Sequence, residues 1–265
     1  MSISGIEVYN DYNSIQISSA SINMVLYAKG TVTTVAPTAP YMFYDAGYTK
    51  FYAGEVCTSK ASYASPADWP VGGFWAFSCT SPIGILNNIT APAVDTGSQQ
   101  GFFNLACDGS VGTQVTWYYF CPCDVLTPAS SGVGIQVFDE FGAMVYDSSY
   151  PIAKPWSTGV PDVGPETINL KTYSIKLGAG RTYAYVLPTV RGWQAGTTVR
   201  STSGIYTYYD KINRPTALAI SSNTLTIKNI RGSLVEFQQS NGIAAAGQYW
   251  DKIGSGGLLL DVTGL

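Results

Sequence analysis

Histidine is absent from the 265 residues, and only 12% of the positions carry a charged side chain. The missing imidazole removes the commonest general base and metal ligand, which excludes Ser-His-Asp and Cys-His catalytic arrangements. What is left for an enzyme is a pair of carboxylates. The adjacent acids Asp139 and Glu140, and Asp11, fall in hairpin turns, where solvated acids are the ordinary expectation. Neither a Walker loop nor a GxGxxG turn after a strand is present to hold a nucleotide. The chain is therefore expected to be no enzyme and to need no cofactor.

Other absences narrow the partners. The 14 Lys and Arg are scattered among 17 acids for a net charge of −3, so no basic stripe offers itself to nucleic acid. No run approaches the ~20 apolar residues of a membrane helix, and membrane insertion is not expected. The opening MSISGIEVYN lacks a basic stretch followed by an apolar one, which points to synthesis in a cytosol. The cysteines, Cys57, Cys79, Cys107, Cys121 and Cys123, number five, an odd count that argues against a disulfide framework. Cys121-Pro122-Cys123 is too tight for the usual zinc knuckle and has no second close pair. Most of them are read as small buried hydrophobes, and no metal site is expected.

What the chain does have is aromatic residues, at 13%, with abundant Gly, Ser and Thr. That composition suits strands joined by polar turns. Residues 134–149, GIQVFDEFGAMVYDSS, read as a strand, a turn at Asp139-Glu140-Phe141-Gly142, and a second strand. Asp opening the turn can bond the backbone two residues on, and Gly closing it accepts the positive φ of a type I turn with a G1 bulge. The pattern occurs twice. Residues 5–19, GIEVYNDYNSIQISS, match it at a separation of 129, with Gly5, Ile6, Val8 and Ser19 recurring as Gly134, Ile135, Val137 and Ser148. Asn13 stands where Gly142 does, and Asn is the next best residue for a left-handed backbone.

The repeat predicts an all-β chain of two tandem β-sandwich domains, residues 1–130 and 131–265, related by internal duplication. A weaker echo, Asp108-Gly109-Ser110 against Arg231-Gly232-Ser233, suggests that the repeat is domain-wide. Residues 22–35 read as a strand interrupted at Gly30, and residues 59–73 as a long surface loop carrying Tyr63 and Trp69. The proline-rich residues 150–165 cannot form an internal strand, and only residues 241–249 offer a short helix.

Two groups of residues are candidates for binding. Tyr63, Trp69, Tyr150, Trp156 and Trp193 lie in or beside loops, where an aromatic either contacts a sugar or protein or anchors the loop on its own sheet. The second group is Leu258, Leu259, Leu260 and Val262, beyond the glycine-rich 254–257. Three leucines left exposed would be an association site. This apolar tail either folds back over its own domain or docks on another subunit by strand addition.

The stretch 134–149 also resembles a family of small structural proteins from the tail tips and baseplates of long-tailed bacteriophages. Their chains often open with the hairpin Y-G-L-x-V-F-N-x-x-G-x-x-x-F-D-S. Gly134, Ile135, Val137, Phe138, Asp139, Gly142, Tyr146, Asp147 and Ser148 stand at those positions. Tyr185-Val186-Leu187-Pro188 with Gly192-Trp193, and residues 115–120, look similar to later parts of the pattern. The first hairpin departs at Asn13, Ile17 and Ser18, and tandem duplication is itself a departure. The resemblance implies a virion structural protein, assembled in the host cytoplasm with other tail and baseplate proteins as a symmetric oligomer and capable of host attachment. The alternative is a carbohydrate-binding, lectin-like receptor-binding module that contacts a host cell-surface glycan.

Overall fold

The structure, a computed structural model, describes residues 7–9, 15–18, 22–38, 41–45, 48–93, 100–128, 134–157, 172–187, 192–196, 202–203, 206–240 and 257–265. Before residue 130 the strands are β1 (Glu7–Tyr9), β2 (Ile15–Ser18), β3 (Met24–Thr33), β4 (Tyr41–Asp45), β5 (Tyr48–Glu55), β6 (Ser59–Ala64), β7 (Phe74–Ser78), β8 (Ile83–Thr90), β9 (Phe102–Cys107) and β10 (Gln114–Pro122). After it come β11 (Gln136–Phe138), β12 (Met144–Asp147), β13 (Lys154–Ser157), β14 (Tyr173–Lys176), β15 (Tyr183–Val186), β16 (Gly192–Gly196), β17 (Thr202–Ser203), β18 (Tyr206–Ser221), β19 (Thr224–Asn229), β20 (Ser233–Ser240) and β21 (Leu258–Asp261). Every ladder is antiparallel, and the described residues contain one 3-10 turn, Cys123–Val125, and no α-helix. The chain is all-β, as its composition predicts. The helix expected at 241–249, the spacer 254–256 and the turn at Asn13 lie outside the described residues.

Six strands run in the order β3-β10-β7-β15-β21-β13. The two ends of this sheet meet. Leu26 N donates to Pro151 O and Ala153 N to Met24 O, both at 2.7 Å, around a bridge between Val25 and Ile152. The two ends of the sheet are thereby tied together at residues 24–26 and 151–153, which curls it into a small barrel. One cluster draws on all six strands or their flanks: Met24, Leu26, Phe74, Ala76, Tyr118, Phe120, Ala153, Ala184, Val186, Leu258, Leu260 and Val262. These alternate positions fill the interior. The intervening ones, among them Trp75, Phe77, Trp117, Tyr119, Tyr185 and Leu259, face outward into a larger core.

A second sheet closes that larger core. Its central strands run β6-β9-β8-β18-β19-β14, with the C-terminal part of β18 pairing β19 and Leu218 of β18 pairing Ile83 of β8. The N-terminal part of β18 extends away to pair β20, β16 and β17, and β20 carries β5 and β4. Ile83, Ile85, Leu105 and Cys107 from the first half, and Leu218, Ile220, Leu225 and Ile227 from the second, line the side facing the barrel. Since barrel strands are covered on both faces, their sequences FWAF, YAYV and LLL run apolar without alternation.

Both strand orders read the same from either end. Strands β3, β6, β7, β8, β9 and β10 occupy the places that β13, β14, β15, β18, β19 and β21 occupy in mirror order, and the two sets meet at Phe77 opposite Tyr185, Ile83 opposite Leu218 and Val25 opposite Ile152. Strands from either side of residue 130 are thus bonded within each sheet. The hairpins agree pair for pair at the separation of 129: Glu7 with Ser18, Val8 with Ile17 and Tyr9 with Ile15 in one, Gln136 with Asp147, Val137 with Tyr146 and Phe138 with Met144 in the other. Even the irregularity falls at the same step. The Asp108-Gly109-Ser110 echo does not mark equivalent strands: it precedes β10 of the barrel, whereas Arg231-Gly232-Ser233 precedes β20, which pairs β5 and β18.

Two local expectations change. Residues 59–64 form β6 rather than loop, because the segment pairs β9 along its whole length, with Ser59 and Ala61 buried and Tyr63 stacked on Phe103. At Gly30 the ladder continues, and the shift comes where Tyr119 pairs Ala28 and Phe120 pairs Leu26. Glycine is needed at 30 because the indole of Trp117 lies across it, with Cζ2 only 2.6 Å from where a Cβ would stand. Gly30→Ala is expected to cost about 1–3 kcal/mol by overpacking. Urea unfolding of the variant measures this, and Trp117→Phe added to it should recover part of the loss.

Candidate interaction surface

The second hairpin is held from both sides of its turn. Asp139 uses one carboxylate oxygen to accept the N–H groups of Phe141 at 2.9 Å and Ala143 at 2.8 Å. Asp139 N donates to Ala143 O, Gly142 N donates to Asp139 O, and Gly142 takes φ of +82°, a left-handed conformation that favours glycine. At the open end, Ser148 Oγ accepts Ile135 N at 2.9 Å, and Ser148 N donates to Ile135 O. A Cβ on Gly134 would stand 2.5 Å from that same Oγ, so a side chain there would displace the Ser148 hydroxyl from this position. Asp147, 1% exposed, accepts Gln136 Nε2 at 2.8 Å and Ser149 N at 2.7 Å.

This scaffold sorts its side chains. Val137, Met144 and Val145 are buried, while Ile135 is 64% exposed, Phe138 44% and Phe141 87%. An apolar residue exposed singly needs no explanation. Three on one short hairpin, one of them a phenylalanine at the apex of a turn fixed by a side-chain cap, are an ordered apolar projection. Its charge is acidic: the stretch 134–149 contains Asp139, Glu140 and Asp147 and no Lys or Arg, against −3 for the whole chain. Sequence reasoning placed the turn but assigned Phe141 no role. The signal was available, since a residue after an Asp cap and before a left-handed Gly sits at the tip of its turn.

The aromatics singled out from the sequence go to different places. Tyr63 lies on β6, not in a loop, and stacks on Trp117 at 4.7 Å and on Phe103 at 5.8 Å. Trp69 is in a loop but turned inward, 5.2 Å from Tyr119 and 5.7 Å from Trp75. Tyr119 hydroxyl donates to Pro70 O at 2.7 Å, tying that loop to the barrel wall. Tyr150 packs against the large core and donates to Thr127 O at 3.1 Å. Trp156 on β13 is 40% exposed and meets Tyr183 edge to face at 5.5 Å. The Trp193 side chain lies outside the described residues. The five therefore form no common surface among the described residues; the exposed one is Trp156, on the barrel wall.

Of the two placements open to Leu258, Leu259, Leu260 and Val262, the structure has the folded-back one. They form β21 and the residue after it, between β13 and β15, with Leu260 fully buried. The docking tail is corrected accordingly: the leucines belong to the barrel because closing it needs a strand at that place.

Among the described residues no three of His, Cys, Asp and Glu gather. Burial pushes the thiols of Cys121 up to about 12 and of Cys123 up to about 11, so both stay protonated at neutral pH. A shallow depression beside the barrel seam is lined by Phe74, Trp75, Ile89, Ala91, Val186 and Leu187 with Gly73, and no titratable side chain enters it. Comparison with protein-family models, with curated proteins and with solved structures returns no match.

Proposed function

We propose that this chain is a non-enzymatic structural protein of a bacteriophage tail tip or baseplate, built by tandem duplication, that joins neighbouring tail subunits through its hairpins. The observation that carries the reading is the rigid acidic hairpin with Phe141 at its apex. Positions of the tail-protein pattern also have physical roles in it: Gly134 makes room for Ser148, Val137 faces inward, Asp139 caps the turn, Gly142 closes it, and Asp147 and Ser148 fasten the open end. The motif is thus a folding unit for presenting a contact. Mirror strand order in both sheets, with equal hairpin registers, supports the duplication.

Mass spectrometry of purified particles, with antibody labelling located by electron microscopy, tests the assignment. Label at the end of the tail is expected; a chain missing from intact particles overturns it. A carbohydrate-binding module is the second reading, and Trp156 favours it as a partly exposed ring held edge to face against Tyr183. On that reading, a glycan array should give binding that Trp156→Ala abolishes and Phe141→Ser leaves intact.

A further inference from the structure

Strands β7 and β15 pair over a short distance, Phe77 opposite Tyr185 and Ala76 opposite Val186, and no pair follows at Trp75 and Leu187. Where the strands part, the depression beside the barrel seam opens against Trp75, Val186 and Leu187, with Ile89 of β8 and Ala91 just after it also lining it. Its lining is held in place. Trp75 Nε1 donates to Thr90 O at 3.0 Å, and Gly72 N donates to Pro92 O at 3.0 Å, which ties residues 90–92 to the start of β7. With its N–H occupied, the indole offers the depression an apolar surface. The volume is about 210 Å³. Pockets for drug-sized ligands run to roughly 300–1,000 Å³, whereas an apolar cavity of roughly 150 Å³ takes up benzene. The depression therefore has room for one aromatic ring. We propose that it is the seat for Phe141 of a second copy of this chain.

Both halves of such a contact are present on one chain, and within one copy they are not joined. Phe141 is 87% exposed, and among the described residues no large apolar side chain is more so. The hydrogen bonds of Asp139 hold its turn in shape before any partner arrives, so little ordering is needed to insert the ring. Charge does not oppose the docking. Asp139 and Glu140 flank the tip, and no carboxylate lines the depression to repel them. Tip and seat are different surfaces, so the contact is heterologous: every copy can give one ring and accept one, which builds a closed ring of subunits if the rotation closes. A single seated ring buries far less than the ~1,200 Å² of a stable interface, so the contact is weak between two free chains and gains strength when several act together. The inference rests on the proposed role of the hairpin as the joining element and adds which subunit, and which surface, it joins.

Sedimentation velocity of the purified full chain over a concentration series is the first measurement. The parent should self-associate, and Phe141→Ser should weaken that association about thirtyfold, the usual effect of losing an aromatic anchor. Ala91→Trp, which fills the seat and leaves the tip, should do the same. Mixing the two variants tests the pairing itself. One keeps the seat and the other keeps the tip, so together they should form a one-to-one dimer that grows no further. If Ala91→Trp melts below the parent, Ala91→Gln tests the seat in its place. A parent that stays monomeric throughout, a seat variant that associates like the parent, or a mixture without dimer would each overturn the proposal. Incorporation into particles separates this failure from failure of the functional reading. Exclusion of Phe141→Ser with normal entry of Ala91→Trp would mean that the hairpin holds a different tail protein, which ends the self-contact and leaves the reading standing.

Discussion

A chain ending at Ser255 is expected not to fold. The residues removed include β21, which pairs with β13 along one edge and β15 along the other, so its loss opens the barrel between two strands that are not neighbours. Leu259, Leu260 and Val262 are buried, and each such side chain is worth about 1.5–3 kcal/mol of apolar burial. Their sum, roughly 5–9 kcal/mol, is comparable to the roughly 5–15 kcal/mol that holds a typical domain together. Far-UV circular dichroism and size exclusion are the measurements. Leu260→Ala gives the graded form, an expected loss of about 2–5 kcal/mol with the fold retained. A truncated chain that melts cooperatively near the full-length temperature would show that the barrel does not need its last strand.

Phe141→Ser has the opposite profile. Its side chain is almost wholly solvated, and the turn is held by backbone N–H groups donating to Asp139, so the melting temperature should move by no more than about a degree or two. Assembly should suffer. Aromatic anchors at interfaces are commonly worth 2 kcal/mol or more, which is about thirtyfold in affinity. Particles produced with only the variant available should incorporate it at a correspondingly lower level, and Phe141→Tyr should largely restore incorporation. Normal incorporation of the serine variant would remove the hairpin tip from the contact. Asp139→Ala, which loosens the same turn without deleting the ring, separates presentation from contact: it should weaken incorporation less and lower stability measurably.

The two hairpins were legible because everything that makes them is local. A cap at Asp139, a left-handed residue at Gly142 and alternation on either side lie within one short stretch, and the same letters recur 129 residues away. Strand content was legible for a similar reason, since aromatics, Thr and Gly/Pro turns act over a few residues. Absence was informative too: without histidine, arrangements that need an imidazole were excluded before any geometry was known.

The places of β6 and β21 were not legible, and the causes differ. Ser59-Lys60-Ala61-Ser62-Tyr63-Ala64 has the composition of a loop. It becomes a strand because β9 offers an edge to pair along the whole segment. Leu258-Leu259-Leu260 has no period because both of its faces are covered, and an aperiodic apolar run looks the same in a buried strand as in an exposed tail. The fate of Tyr63 and Trp69 follows from these placements, as their ring partners, Phe103, Trp117 and Tyr119, come from strands far along the chain.

By itself, then, the sequence determined the strand class, the paired hairpins, the turn that presents Phe141 and the lack of histidine-based chemistry, all consequences of interactions within a few residues or of composition. Tertiary structure alone decided that β7 would lie against β15 and the start of β3 against residues 151–153. It also decided that three leucines near the C-terminus would form a strand between β13 and β15. Those outcomes depend on which unpaired strand edges come together, and an edge exposes backbone N–H and C=O groups that are the same for almost every residue.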